Sequence, residues 1–171
     1  MFALNAVLFA IICVLAVARV AWHTRRTLDD LFDHLQAPGF FTFVAACSIL
    51  GSQTLLIGGD ARFAAVFGVV ALFAWVGLTY TIFTVLTVKQ HKPTLDHGIN
   101  GGWLLAVVAT QSLAVLAARL APEVQQPLRM ELNFFALSMW LWGGMLYIWM
   151  MSLIFYRYTF FPFSPADLSP P

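Results

Sequence analysis

The chain has 171 residues, of which 61% are hydrophobic and only 10% are charged, and its formal net charge is +1. A soluble domain carries roughly 25% charged residues, so this composition indicates a protein that lies within a lipid bilayer. The nine Lys and Arg residues are scattered along the chain, which excludes a nucleic-acid-binding surface. Cys13 and Cys47 lie inside apolar runs, where they are interpreted as small buried hydrophobic residues.

Five apolar segments are long enough to span a membrane as helices, since about 20 residues at about 1.5 Å each cross a hydrocarbon core about 30 Å thick. Strands of a membrane barrel would instead alternate over about ten residues. The sequence therefore predicts an all-α membrane protein whose single transmembrane region covers residues 1–171. Its five helices are expected at about 1–21, 40–59, 63–88, 99–118 and 132–156.

The connections between these helices contain turn residues and helix-stopping prolines. Residues 58–62 predict a tight turn, and prolines within 89–93 and 121–127 end the helices that precede them. In the first and longer connection, Thr27 is expected to cap a short helix at the membrane surface. Residues 157–171 are predicted to form a Pro-rich tail, which from Phe161 onward is too rich in proline to be helical.

The basic residues set the expected orientation, because cytoplasmic loops of membrane proteins carry an excess of Lys and Arg. The N-terminus of this segment is then expected outside and the C-terminus in the cytoplasm, in a multi-pass protein of the plasma (inner) membrane. A signal peptide with a cleavage site at residues 16–18 is the competing interpretation, although its basic leading region is missing. Six of the nine Lys and Arg residues fall on the predicted cytoplasmic side: Arg19, Arg25, Arg26, Lys89, Lys92 and Arg157.

Between their ends the predicted spans contain no Asp, Glu, Lys, Arg or His, which argues against a proton pump. The four histidines all fall in connections on the predicted cytoplasmic side, so haem ligation by a membrane electron-transfer subunit is disfavoured. No nucleophile–base pair or phosphate-binding loop is recognisable. We therefore expect no catalysis, no cofactor and no metal site.

Neutral polar residues are concentrated in the second and fourth predicted helices. Ser48 and Ser52 are four residues apart and share a helix face, with Gln53 beside them, and Thr110 and Gln111 occupy the middle of the fourth helix. The third and fifth helices are bulky and aromatic, which suits contact with lipid. This contrast predicts an inner and an outer helix layer.

Two interpretations of these polar residues remain open. Small and hydroxyl-bearing residues allow helices to approach closely and to hydrogen-bond, with no further function. Alternatively, neutral donors line a narrow path and replace part of the hydration shell of an anion without holding it tightly.

Three segments carry a family resemblance: residues 38–53 (PGFFTFVAACSILGSQ), residues 99–112 (INGGWLLAVVATQS) and residues 156–171. They resemble two helices, and the link into the seventh helix, of the tellurite-resistance and C4-dicarboxylate transporter family, which is related to the plant slow-type anion channels. Members of that family have ten helices, with the odd-numbered helices around a central pore and the even-numbered helices outside. The resemblance implies that this chain corresponds to helices two to six, about half of that fold, and that pore-lining candidates are Ser48, Ser52, Gln53, Thr110 and Gln111.

The resemblance also implies a function. We expect transmembrane transport of small anions by a channel or permease, with C4-dicarboxylates such as malate as substrates, and a homo-oligomer that is trimeric by resemblance. Tellurite resistance would be an indirect outcome of transport. Because five helices supply only two of the five inner helices of the family, the alternatives are a non-conducting structural or assembly subunit of the membrane, or a truncated fragment.

Overall fold

The structure is a computed structural model that describes residues 2–162. Five of its helices are long and apolar enough to cross a membrane, and the described residues contain no strand, which confirms the all-α membrane fold class. Two short helices, α2 and α5, lie in the connections. The helices are α1 (Phe2–Trp22), α2 (Thr24–Leu31), α3 (Phe41–Gly58), α4 (Ala61–Val88), α5 (Leu95–Gly98), α6 (Leu104–Leu120) and α7 (Leu128–Phe160).

Burial divides the spanning helices into an inner and an outer group. Within the apolar 18-residue stretch of each span, the share buried inside the protein is 39% for the span that contains α3 and 56% for the span that contains α6. The corresponding shares are 17% for α4 and 22% for α7. Helix α1 has no buried residue and contacts the bundle chiefly through Phe9, whose ring lies 6.5 Å from that of Phe43 and 5.9 Å from that of Phe67. The two polar helices of the sequence are therefore the inner ones.

Gly51 is the point at which three helices come closest together. A methyl group at Gly51 of α3 would lie 3.0 Å from Phe67 Cβ of α4 and 3.1 Å from Leu116 Cδ2 of α6. The carbonyl oxygen of Ala64 would be only 3.3 Å away. Glycine permits this approach because it has no Cβ, as small residues do in other membrane helix interfaces.

One end of the bundle collects most of the basic residues, and we call it the basic end. There the end of α4 contacts the segment after α2, since Lys89 Nζ donates a hydrogen bond to the Phe32 carbonyl at 2.9 Å. The end of α7 contacts the segment between α5 and α6 through Arg157 Nη1, which donates to the Ile99 carbonyl at 2.7 Å. Arg157 is itself buried. These two hydrogen bonds join the ends of α4 and α7 to neighbouring connections at the basic end.

The predicted start of the fourth spanning helix is wrong by five residues, since α6 begins at Leu104 and not at Ile99. The Oδ1 atom of Asn100 accepts a hydrogen bond from the N–H of Gly102 at 2.9 Å, and a short 3₁₀ helix, Gly101–Trp103, precedes α6. Asparagine competes for backbone donors in this way, which favours a cap over helix continuation.

Thr27 and Asp60, which lie near the starts of α2 and α4, make different kinds of hydrogen bond. Thr27 lies inside α2, where its hydroxyl donates to the His23 carbonyl at 3.1 Å, so the prediction that Thr27 caps this helix is wrong. Asp60 caps α4, because its Oδ1 accepts from the N–H groups of Arg62 and Phe63 at 2.9 and 3.2 Å. The cap extends α4 to Ala61, two residues before its expected start.

Helix α7 is longer than predicted at both ends. It begins at Leu128, four residues early, and continues to Phe160, so the first residues of the predicted tail at 157–171 are helical. The residue before Pro162 is extended, as proline requires of its neighbour. Proline thus sets the helix end a few residues later than the sequence interpretation placed it, and the rest of the tail prediction, residues 163–171, lies outside the described residues.

We expect Gly51→Ala to lower the free energy of unfolding by about 1–3 kcal/mol, because the added methyl group overpacks the junction of α3, α4 and α6. Thermal unfolding in a mild detergent measures this change. Gly77→Ala is the matched control, since nothing lies within 4 Å of a methyl group at Gly77 in the middle of α4. Equal melting temperatures for the two variants would contradict the close approach at Gly51.

Candidate functional site

An open groove of about 510 Å³ runs between the inner helices and is called here the α3–α6 groove. Four of the five sequence-predicted site residues line it, namely Ser48, Ser52, Gln53 and Gln111. Thr110 does not. The other lining residues are Ile49, Leu56, Val107, Val108, Ser112, Val115 and Arg119.

The polar residues occupy the middle of the α3–α6 groove. Helices α3 and α6 both start at the basic end, so Ser48 and Ser52 of α3 face the region of Gln111 and Ser112 of α6. The one charged lining residue in this groove, the exposed Arg119, lies in the last turn of α6 at the other end. The groove therefore has a neutral polar centre and a basic mouth.

Ser48 Oγ is a buried oxygen without a hydrogen-bond partner in the described part of the chain. Other hydroxyls in these helices donate to their own backbone, as Ser112 Oγ does to the Ala109 carbonyl at 2.7 Å. Most buried polar side-chain atoms in proteins have a partner, so an orphaned one needs an explanation such as water or an ion that binds it. The Ser48 hydroxyl is therefore the polar group of the groove that most needs a hydrogen-bond partner.

Gln53 connects the groove to α1. Its Oε1 atom accepts a hydrogen bond from Asn5 Nδ2 at 3.2 Å. Ser52, which is 9% exposed, lies next to Gln53 on the same helix. The amide of Gln53 thus has a structural contact with α1, and the half-buried side chain also lines the groove.

Gln111 extends from α6 across to α7. Its Nε2 atom donates to the Trp140 carbonyl at 3.1 Å. The side chain passes over Gly143, where an added methyl group would be 2.6 Å from Gln111 Nε2. Gly143 therefore provides the space in which the Gln111 amide is held.

Thr110 is fully buried and lies away from the groove. Its Oγ1 atom accepts from Trp75 Nε1 at 2.8 Å and donates to the Ala106 carbonyl at 2.8 Å. Thr110 lies on the face of α6 that contacts Trp75 of α4, whereas Gln111 and Ser112 line the groove. The Thr110 hydroxyl joins α6 to α4, and a pore-lining role for this residue stays a prediction.

The sequence interpretation missed two polar lining residues, Ser112 and Arg119. A helical spacing could have found them, because Val108, Ser112, Val115 and Arg119 follow one another at intervals of four, three and four residues and so form one face. Neither mid-helix polarity nor the family resemblance specifies the rotation of a helix, and Thr110 lies on the face of α6 opposite these residues.

The centre of the groove contains hydroxyl and amide groups and no charged side chain. Among residues 2–162, no group of three or more His, Cys, Asp or Glu side chains could hold a metal ion. The hydroxyl and amide groups can bind an anion or water by single hydrogen bonds. Such neutral donors are strong enough to replace hydration and too weak to trap an ion.

These features define a polytopic helical membrane protein whose inner helices border an open groove with a neutral polar centre. The family described as SLAC1, voltage-dependent anion channel, matches residues 1–171. The chain belongs to this family, which confirms the resemblance inferred from its sequence segments.

A curated relative supports a transporter class. An uncharacterized transporter of Methanocaldococcus jannaschii is 25% identical over 176 residues, which cover 99% of this chain and 48% of that protein. The chain thus spans about half the length of the curated relative it matches. No solved structure matches the chain.

We expect Gly143→Ala to displace the Gln111 side chain, because the methyl group would overlap its amide nitrogen. Loss of the hydrogen bond to Trp140 should lower the free energy of unfolding by about 1 kcal/mol, the size of an interhelical hydrogen bond in membranes. Unfolding of the detergent-solubilised protein measures the change. The matched control is Gly144→Ala, since nothing lies within 4 Å of a methyl group there.

A double-mutant cycle sharpens this test. In a Gln111→Ala background, Gly143→Ala should cost much less stability than in the wild type, because the clashing amide has been removed. Additive effects of the two substitutions would contradict the contact between Gln111 and Gly143.

Proposed function

We propose that α3 and α6 line part of a path by which small anions cross the plasma (inner) membrane. The observation that carries this proposal is the α3–α6 groove, which combines a neutral polar centre with the unpartnered hydroxyl of Ser48. Membership of an anion channel family and similarity to a transporter support it.

The mechanism follows from the donors in the groove. An anion that leaves water loses hydrogen bonds, and the hydroxyls of Ser48 and Ser52 and the Gln53 amide can replace some of them. The orphaned Ser48 Oγ–H gains an acceptor when the anion passes. The Arg119 guanidinium at one mouth raises the local anion concentration. Since the centre of the groove is uncharged, the anion is released as easily as it is bound.

We propose C4-dicarboxylates such as malate as the substrates to test first, with tellurite resistance only as an indirect result of transport. We also propose that the basic end faces the cytoplasm, on the strength of the Lys and Arg bias. The α3–α6 groove is open along one side, so further helices must close the path. A trimeric homo-oligomer is the assembly that the family resemblance favours.

A non-conducting structural or assembly subunit is the second candidate function. The observation that favours it is that Gln53 and Gln111 both use their amides in interhelical hydrogen bonds. Under this alternative the polar residues hold helices together and no ion passes.

Anion efflux from liposomes that contain the reconstituted protein separates the two functions. We expect Ser52→Leu and Gln111→Leu to reduce malate or chloride efflux at least tenfold, because a bulky apolar side chain blocks the groove and removes a donor. Ser152→Leu makes the same chemical change on an exposed face of α7 and should leave efflux unchanged.

Ser48→Ala tests the orphaned hydroxyl in the same assay. The substitution removes a buried oxygen that has no partner, so we expect the thermal stability to be retained or raised while efflux falls. Absence of efflux from the wild type, or equal efflux in the wild type, Ser52→Leu and Ser48→Ala, would refute conduction and favour the structural alternative.

A further inference from the structure

A second cavity, of about 300 Å³, lies at the basic end of the bundle, between the ends of α4 and α7, and is called here the basic-end pocket. Its volume is at the lower end of the range for small-ligand sites in proteins. The α3–α6 groove and this pocket share no lining residue. The pocket therefore needs an explanation of its own.

The floor of the basic-end pocket is apolar and aromatic. The ring of Phe83 lies 6.3 Å from that of Trp149, in a stacked arrangement, and 6.1 Å from that of Trp103. Met150 and Leu153 of α7 complete the floor, and Met150 is buried. A surface of this kind contributes affinity only when an apolar group covers it.

The rim of the pocket is basic. His34 and Lys92 line it, and Lys89 lies beside them, with its Nζ atom on the Phe32 carbonyl. The pKa of His34 is lowered, first by burial and then by the charges of Lys89 and Lys92, while Asp33 acts in the opposite direction. Because Lys89 and Lys92 both disfavour protonation of His34, the electrostatic potential at the mouth of the pocket is positive.

The nearest acidic group on the α5 segment does not neutralise this rim. Asp96 is absent from the pocket lining, and its carboxylate lies 3.4 Å from His97 Nε2. Its pKa is lowered first by a hydrogen bond from Thr94. The carboxylate of Asp96 thus has partners of its own, and Lys92 remains available to a bound anion.

We propose that the basic-end pocket binds a fatty acid, with the alkyl chain on the aromatic floor and the carboxylate at Lys92 and His34. A hydrophilic anion would leave the floor uncovered, and a neutral lipid would leave the basic rim without a counter-charge. The ends of α4 and α7 lie where spanning helices meet the membrane surface, which is where a fatty acid is available.

The first experiment uses a brominated fatty acid, 11-bromoundecanoate, as a probe, since bromine quenches tryptophan fluorescence on contact. Titration of the full chain in a neutral detergent should give saturable quenching, and Trp149→Phe should remove most of it. The methyl ester, which has the same tail without the charge, and bromoacetate, which has the head without the tail, should each bind at least tenfold more weakly.

Three variants, two at Lys92 and one at Arg26, test where the carboxylate of the probe binds. Lys92→Gln should weaken binding of the probe about fivefold, the effect of one lost exposed charge pair, and Lys92→Arg should restore most of it. The matched control is Arg26→Gln, which removes an exposed charge from the same end but outside the pocket. Equal weakening in Lys92→Gln and Arg26→Gln would overturn the site, as would equal binding of acid and ester.

The titration of His34 provides a second readout. A bound carboxylate stabilises the imidazolium form, so undecanoate should raise the pKa of His34 as measured by NMR, with the resonance assigned through His34→Gln. An unchanged pKa with saturating undecanoate would overturn the proposal. Displacement of the probe by phosphatidylglycerol in nanodiscs, but not by undecanoate, would assign the pocket to a phospholipid and overturn the fatty-acid assignment.

Discussion

Inside a bilayer a polar side chain must find its hydrogen-bond partners within the protein or in trapped water, because the hydrocarbon provides none. Two buried hydroxyl groups of the inner helices, those of Thr110 and Ser48, differ in whether they have such a partner. Thr110 satisfies its hydroxyl completely, through Trp75 and its own helix. Ser48, equally buried, leaves its hydroxyl unpaired at the wall of a groove. The difference separates a hydroxyl that joins two helices from one that the proposed anion path would use.

Small residues make this arrangement possible. Gly51 lets α3 approach α4 and α6 to the limit of contact, and Gly143 gives the Gln111 side chain room beside α7. A groove with neutral donors then remains between α3 and α6, while the bulky residues of α4 and α7 face outward. The same packing that stabilises the fold thus leaves polar groups where an anion could use them, which is why structural and conducting roles are so difficult to distinguish by composition.

Hydropathy was sufficient to predict five spanning helices, because continuous apolar runs of about 20 residues have few alternatives. Helix ends were less predictable. Asn100 and Asp60 shift two helix starts through hydrogen bonds from backbone N–H groups to their side chains. Helix α7 continues to Phe160 because the proline that ends it is Pro162. Four residues named from polarity and family resemblance line the α3–α6 groove. The contact of Thr110 with Trp75 could not be predicted, because the two residues are 35 positions apart in the sequence.

The central claim, that water and anions reach the α3–α6 groove, is tested most directly by thiol labelling in liposomes. In a Cys13→Ala, Cys47→Ala background, Ser52→Cys should react with a charged, membrane-impermeant methanethiosulfonate reagent, and a permeant anion should slow the reaction. Thr110→Cys, buried against α4, and Val76→Cys, on the exposed face of α4, should remain unmodified. A Ser52→Cys protein as inert as these two would contradict the account.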